Sequence, residues 1–361
     1  MKYLMLLPAF LLFNQLVSAQ SLAECAEKSQ QTLENSFKSA DGTYYLEKRN
    51  SDNPFFHYWW NAHALDVLVD GWERSKDEVY LERIEVLVNN WVKNNDGSLF
   101  KEYYDDMEWY ALALLRAGES TENQAYTGLA YQLWEDIKTG YNSNQGGGIA
   151  WRKNQLDYKN TPANAPAIIF ACRKYQLTKD TDDLVLAISL YEWLKAHLVE
   201  ASGKVNDGVN RQGKGAVDYW QFTYNYGIYI GAAYELYRAT GEERFLNDAF
   251  KTANYCIEAP DIVVNDILKD EGGGDGGLFK GILIRYLTHL ALDESLSKNY
   301  RKSYVQFLED QTHLLMSNGY DERGIIGSNW LVKPDDEFWT SSQLSGMMLI
   351  EAAVKCGFNI R

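Results

Sequence analysis

The chain has 361 residues, 46% of them apolar, enough for a substantial buried core in one large domain or two ordinary ones. A formal net charge of −15 argues against nucleic acid or an anionic membrane surface as partner and disfavours a polyanionic polysaccharide, whereas a neutral carbohydrate needs no charge complement. Eleven Trp and 25 Tyr are many for this length, so some rings are expected to serve as flat, amphipathic ligand platforms rather than as packing.

In chain order, the first element is an address. Lys2 precedes the apolar run Tyr3 to Phe13, and Val17-Ser18-Ala19 supplies small residues at the spacing of a secretory signal peptide cleaved after Ala19. Asn14-Gln15 ends the run short of the roughly 20 apolar residues that a membrane span needs, and no other segment reaches that length. The mature protein is therefore expected to be exported, to a periplasm or out of the cell, and to be monomeric. Glu24 before Cys25 makes a poor lipoprotein signal, and Gly357 to Arg361 carries no hydrophobic anchor-addition tail. No Asn-x-Ser/Thr sequon with an allowed middle residue occurs, which fits a bacterial origin. Cys25, Cys172, Cys256 and Cys356 are too dispersed for a zinc ribbon or a CxxC motif. Buried free thiols are the expectation, with Cys25 and Cys356 as one possible clasp between the chain ends.

Residues 20–361 show no linker and read as one domain. A helix over Ser21 to Ser39 is followed by helical periodicity starting near Phe56, Tyr104, Asn160, Trp220, Phe279 and Phe338, roughly 50–60 residues apart. Partner helices fall between these, at Lys76 to Val92, Thr121 to Lys138, Thr181 to Val199, Glu242 to Ile257 and Leu296 to Ser317. The total is about twelve helices in six hairpins, with almost no strand alternation. The partner helices carry charged faces and belong outside. The other set is rich in Trp, Tyr, Ala and Gly, as in Gly227-Ile228-Tyr229-Ile230-Gly231, and small residues allow close helix approach inside. Glycine-rich loops at 146–148, 206–208 and 272–277 precede inner helices. The expected fold is all-α, a closed toroid of six inner and six outer helices with the glycine loops at one mouth; a linear solenoid is the alternative.

The stretch Tyr103-Tyr104-Asp105-Asp106-Met107-Glu108-Trp109-Tyr110 opens an inner helix with two adjacent carboxylates among four rings. Glycoside cleavage commonly uses two carboxyl groups, one protonated and one ionised, and a short separation of about 5 Å belongs to the retaining mechanism. Two carboxylates so close cannot both ionise cheaply, so one pKa rises. The competing reading is helix capping, which the helix dipole favours by stabilising both anions. Asp182-Asp183 opens an outer helix and reads as a plain cap. Asp335-Asp336, before Phe338-Trp339, is a weaker rival at the mouth. With five His and no HExxH pattern, a catalytic zinc site is not expected.

Tyr58-Trp59-Trp60-Asn61-Ala62-His63, Asp105-Asp106 in this setting, Gly146-Gly147-Gly148-Ile149, Tyr158-Lys159-Asn160, Thr223-Tyr224-Asn225-Tyr226-Gly227 and Phe279-Lys280-Gly281-Ile282 resemble glycoside hydrolase family 76, in order from about Tyr58 to Ser342, nearly the whole mature chain. The resemblance implies an (α/α)6 barrel and a retaining endo-α-1,6-mannanase that cuts the backbone of yeast-type α-mannan, with no metal or organic cofactor. It makes Asp105 the nucleophile and Asp106 the general acid/base. The sequence departs from the family where Ala150-Trp151 replaces an aromatic pair after the Gly triplet. It departs again at Thr161-Pro162-Ala163-Asn164-Ala165-Pro166, whose prolines should distort a helix start.

Candidate sugar-binding residues are Trp59, Trp60 and His63, the rings Tyr104 and Trp109, and Asn164, Asp207, Asn210, Tyr224, Asn225 and Lys280. A core Trp pair with a bonded His, Asx-turn chemistry for the loop residues, and a carboxylate partner for Lys280 are the plainer readings. Two other functions compete. An (α/α)6 hydrolase of uronic-acid oligosaccharides would need a cationic cleft, and a mannan-binding or transglycosylating protein would release little product by hydrolysis.

Overall fold

The computed structural model describes residues 20–49, 51–334 and 338–359. The signal-peptide segment 1–19 and the Asp335-Asp336 pair lie outside the described residues. The elements are helices α1 (Leu22–Phe37), α2 (Tyr58–Ser75), α3 (Val79–Asn94), α4 (Tyr104–Ser120), α5 (Gln124–Lys138), α6 (Thr161–Thr178), α7 (Thr181–Leu198), α8 (Thr223–Thr240), α9 (Glu243–Glu258), α10 (Gly276–Leu292), α11 (Lys298–Asn318) and α12 (Thr340–Lys355). They include every helix expected from the periodicity, with starts shifted by a few residues.

The packing partners settle ring against solenoid. Helix α2 packs on α4, α4 on α6, α6 on α8, α8 on α10, α10 on α12, and α12 returns to α2. Each inner helix also carries an outer one: α3 on α2, α5 on α4, α7 on α6, α9 on α8, α11 on α10 and α1 on α12. The two rings differ in composition for a physical reason. Outer helix α9 buries Phe245, Leu246, Ala249, Phe250, Ala253 and Cys256, a single stripe at helical spacing. Inner helix α12 buries every residue from Thr340 to Ala353, because it is covered on all sides. Fully burying a Leu-sized side chain contributes about 1.5–3 kcal/mol, and Leu65, Leu68, Leu114, Leu194 and Leu283 are all at 0% exposure.

Close approach is set by glycine. A Cβ built on Gly227 of α8 would lie 2.6 Å from the Cα of Leu283 on α10, a backbone contact that no rotamer can relieve. Gly227→Ala is therefore expected to lower unfolding free energy by about 1–3 kcal/mol in a urea melt, while an alanine at half-buried Gly128 has nothing within 4 Å to meet.

The inner helices all begin at one mouth. Five of them (α2, α4, α8, α10 and α12) have no N-cap side-chain bond, and α6 is capped by Asn160, which accepts from the Ala163 N–H at 3.2 Å. The positive ends of their dipoles meet at this mouth. The two prolines do not interrupt α6: Pro162 sits in the first turn, where an N–H is not required, and the helix runs past Pro166 to Thr178.

What the periodicity did not reveal is a small antiparallel sheet on the rim, β1 (Ala150–Arg152), β2 (Gln155–Asn160), β3 (Gly208–Val209) and β4 (Val217–Asp218), in that order. Three of these strands have two or three residues and β1 is irregular against β2, so no alternation accumulates. Another two-residue hairpin, β5 (Val263–Val264) with β6 (Ile267–Leu268), precedes α10. The four cysteines are free thiols, with Cys356 half-buried and the others buried, so the clasp between Cys25 and Cys356 is not formed.

Candidate active site

Two cavities occupy the barrel axis. The larger, about 1060 Å³, opens at the helix C-termini. It is lined by ion pairs: Arg116 bonds Asp66 at 2.6 Å and Asp70 at 2.8 Å, Arg285 bonds Asp70 at 2.7 Å, and Arg173 bonds Glu235 at 2.8 Å. Burial alone would raise the Asp70 carboxyl, but Arg116, Arg285 and Lys355 hold it well below the usual range. Cations here meet the negative ends of the inner helices, and carboxylates held ionised by guanidinium are structural.

The smaller cavity, about 340 Å³, opens at the other mouth and has the opposite character. Four carboxylates, Asp105, Asp106, Asp207 and Asp275, share it with Trp59, Tyr103, Trp109, Trp151, Phe222, Tyr224 and Phe279, besides His57, Asn160 and Arg211. This is the candidate active site.

Asp105 and Asp106 are the second and third residues of α4, which starts after extended Tyr103 with no side-chain cap. Capping does not account for them. Asp105 Oδ1 accepts only the adjacent Asp106 N–H, at 3.0 Å, while Oδ2 accepts the Trp151 indole N–H at 3.0 Å. No described residue hydrogen-bonds the Asp106 carboxyl. Desolvation lifts Asp105 to about 7 against the Trp151 and backbone bonds that lower it. Desolvation, then the charge of Asp105, lifts Asp106 well above the carboxylate range. Burial thus wins over the helix dipole. The pair titrates as a unit, and the member with the indole donor ionises first. Beneath them Glu108 is fully buried, both its oxygens lack a side-chain partner, and desolvation keeps its carboxyl protonated.

The remaining walls are fixed by the loops. Asp275 Oδ1 accepts both the Trp59 and Trp60 indole N–H groups, at 3.1 and 2.9 Å, which pins a side chain from the glycine-rich 272–277 loop over the pocket. Burial, opposed by Asp275, holds His57 down at about 4, so it is neutral at pH 7. Asp207 is nearly fully buried and accepts from Asn225 at 3.1 Å, Arg211 at 3.1 Å and Tyr158 at 3.2 Å. Tyr224 and Phe279 stack at 4.1 Å to form a flat wall.

Of the residues singled out from sequence, Asp105, Asp106, Trp59, Trp109, Asp207 and Tyr224 line this pocket. The others lie outside its lining. Trp60 is buried, stacked on His57 at 4.0 Å, and reaches the mouth only through its bond to Asp275. His63 packs between Trp59 and Trp109 and borders the other cavity; desolvation drops it to about 3, so it is a neutral core histidine. Tyr104 packs its ring over Gly140, and Tyr103 is the tyrosine in the pocket. Asn164 brackets Ile149, accepting from its N–H at 2.8 Å and donating to its carbonyl at 3.0 Å, which fastens the Gly146–148 loop. Asn210, at φ 73°, closes the β3–β4 turn through Gly215 and Asp157. Asn225 acts on Asp207 from behind. Lys280 donates to the Ser328 and Lys269 carbonyls and lies over Trp330, and desolvation lowers it to about 8.

Not proposed as sugar-binding from sequence were His57, Tyr103, Trp151, Asn160, Arg211, Phe222, Asp275 and Phe279. Position was the available signal for several, since Trp151 follows the Gly triplet, Asp275 sits in the glycine loop and Phe279 opens an inner helix. Nothing local marks Arg211.

A closed double ring of helices with adjacent, pKa-shifted carboxylates in an aromatic pocket defines a carbohydrate-cleaving (α/α)6 enzyme. Residues 21–355 match the model of glycosyl hydrolase family 76, and the chain belongs to that family. It is similar to the α-1,6-mannanase GH76A of Salegentibacter sp. HEL1_6, solved as an inactive variant with two consecutive aspartates replaced by alanine, in complex with α-1,6-mannotetrose. That likeness is 39% identity and a TM-score of 0.90 over 93% of this chain and 99% of the other. The Lin0763 protein of Listeria innocua is 38% identical with a TM-score of 0.86, over 94% and 99%. A curated relative, mannan endo-1,6-alpha-mannosidase DCW1 of Candida glabrata, is 25% identical over 52% of this chain. The chain spans about half the length of that relative, 47%. Among the described residues no helix is long and apolar enough to cross a membrane.

Proposed function

We propose that the protein is a retaining endo-α-1,6-mannanase that hydrolyses the backbone of yeast-type α-mannan, with residues 20–361 acting as one exported, monomeric catalytic unit. The observation that carries this reading is the asymmetry of the carboxylate pair: Asp105 receives an indole N–H, and Asp106 has no donor among the described residues and a pKa pushed well up. In the first step protonated Asp106 gives its proton to the glycosidic oxygen as the Asp105 carboxylate attacks the anomeric carbon, leaving a mannosyl ester on Asp105. In the second, Asp106, now a carboxylate, takes a proton from water; the water oxygen attacks the anomeric carbon and Asp105 is released. The mannotetrose bound to the Salegentibacter relative supports the linkage, and its inactivation by replacing two consecutive aspartates supports the pair.

The uronic-acid alternative is disfavoured by charge. Arg211 is the pocket's one Lys or Arg side chain among the described residues, and it is already bound to Asp207 and Asp218, against four carboxylates. The test is incubation with debranched α-1,6-mannan, following product length and the anomer first formed by NMR. Oligosaccharides of intermediate length appearing early, with the α-anomer first, are expected. A β-anomer first overturns retention, transfer products that accumulate in place of sugars favour transglycosylation, and untouched mannan overturns the activity.

A further inference from the structure

We propose that Trp220, with Tyr219 beside it, forms an outer sugar-binding platform that takes a further mannosyl unit of the chain after it leaves the pocket. This deepens, and rests on, the mannanase reading.

Trp220 is the one exposed tryptophan among the described residues, at 50% exposure, and Tyr219 is 67% exposed. Leaving a large ring in water is unfavourable, yet the loop that does so is tightly built. Gln221 donates to the Asn206 side chain and to the Tyr219 carbonyl, each at 3.0 Å, and accepts from the Tyr226 hydroxyl, while Lys269 donates to the Gln221 carbonyl. The Arg211 guanidinium sits 4.5 Å from the Trp220 ring centre and is held by Asp218 at 3.2 Å and Asp207 at 3.1 Å. The ring is therefore preorganised, which removes the ordering cost that weakens flexible contacts.

Its surface continues the pocket. Arg211 lines the pocket on one side and supports Trp220 on the other. Trp220 meets Phe222 edge to face at 6.1 Å, and Phe222 in turn contacts Phe279 at 5.3 Å inside. A pocket of about 340 Å³ is at the small end of ligand cavities, so a polymer must run out over the rim. The flat apolar face of a sugar ring suits an indole, and α-1,6 links add a rotatable bond that lets a unit lie down on it.

The experiment compares wild type, Trp220→Ala and Trp220→Phe on α-1,6-mannotriose and α-1,6-mannohexaose. Trp220→Ala is expected to lower kcat/KM on the hexaose about tenfold, mainly through KM, and to leave the triose unchanged, with Phe recovering most of the loss. Equal losses on both substrates, or no loss on either, overturn the platform while leaving the mannanase reading intact. If wild type cleaves neither oligosaccharide, both fall together.

Discussion

Asp105→Asn is expected to lower kcat on α-1,6-mannan by a factor on the order of 10⁴ or more, because the amide cannot form the covalent mannosyl ester. Asp106→Asn should cost about 10² to 10⁴, and the two losses are distinguishable. An aryl α-mannooligosaccharide with a good leaving group needs no proton, so it should restore much of the first step in Asp106→Asn and none in Asp105→Asn. Azide should then accelerate turnover of Asp106→Asn and give the α-mannosyl azide; a β-azide, or rescue of the Asp105 variant on the aryl substrate, would reverse the assignment. Stability offers a second check that does not rely on activity. Asp105 is held at about 7 in the fold, above its unfolded value near 3.9, so the folded state binds its proton more tightly. Wild-type stability therefore declines as pH rises from about 4 through 7, and an Asn, which does not titrate, escapes that decline. Asp105→Asn should be more stable than wild type at pH 8, by on the order of 3 kcal/mol, and lose that advantage at pH 4.

The helical rings were legible from residue types because each helix is long enough for its periodicity to repeat and because inner and outer helices meet different surroundings. Gly227 and Gly281 mark helices that touch backbone to backbone, and the stripe on α9 marks one that faces water. The pocket was legible where chemistry sits on a helix start, as at Asp105, Asp106 and Trp59, and at the loop carboxylate Asp207. It was not legible where the scaffold already uses a polar side chain. Asn164 in the first turn of α6 and Asn210 in the β3–β4 turn carry polar groups beside the mouth, but their hydrogen bonds go to neighbouring segments, at Ile149 for the first and at Gly215 and Asp157 for the second. Sequence cannot separate an amide that waits for a sugar from one already bonded. At Lys280 an ammonium near a helix N-terminus suggested an anionic partner or a sugar; its hydrogen bonds go to carbonyls of two other segments, with Asp270 and Glu271 acting on its charge. Trp151 lies in a strand of three residues and Arg211 in the turn between two strands of two residues, too short for a local pattern to announce them.

Trp151 is the residue whose removal should change the pH profile most. Among the described residues its indole N–H is the one side-chain donor to Asp105, and that bond opposes the desolvation which lifts the proposed nucleophile to about 7. Wild-type kcat/KM should fall below an apparent pKa near 7, about tenfold per unit, as the nucleophile is protonated, and fall again at high pH as Asp106 loses its proton. A hydrogen bond to a charged group is worth about 1.5–3 kcal/mol, which is roughly one to two pH units. Trp151→Phe keeps an aromatic ring against Tyr103 and Tyr158, at centroid distances of 4.9 and 5.5 Å in the wild type, but has no donor. Its acid limb should move up by that amount, so that at pH 6 the variant is slower by about ten- to a hundredfold. Above the shifted limb the difference should narrow. Were Trp151 merely a packing residue, the variant would lose rate by the same factor at every pH and the limb would stay where it is. The direction of the limb therefore tests whether an indole, supplied by a three-residue strand on the rim, is what keeps one of two adjacent half-buried carboxyls ionised while its neighbour stays protonated.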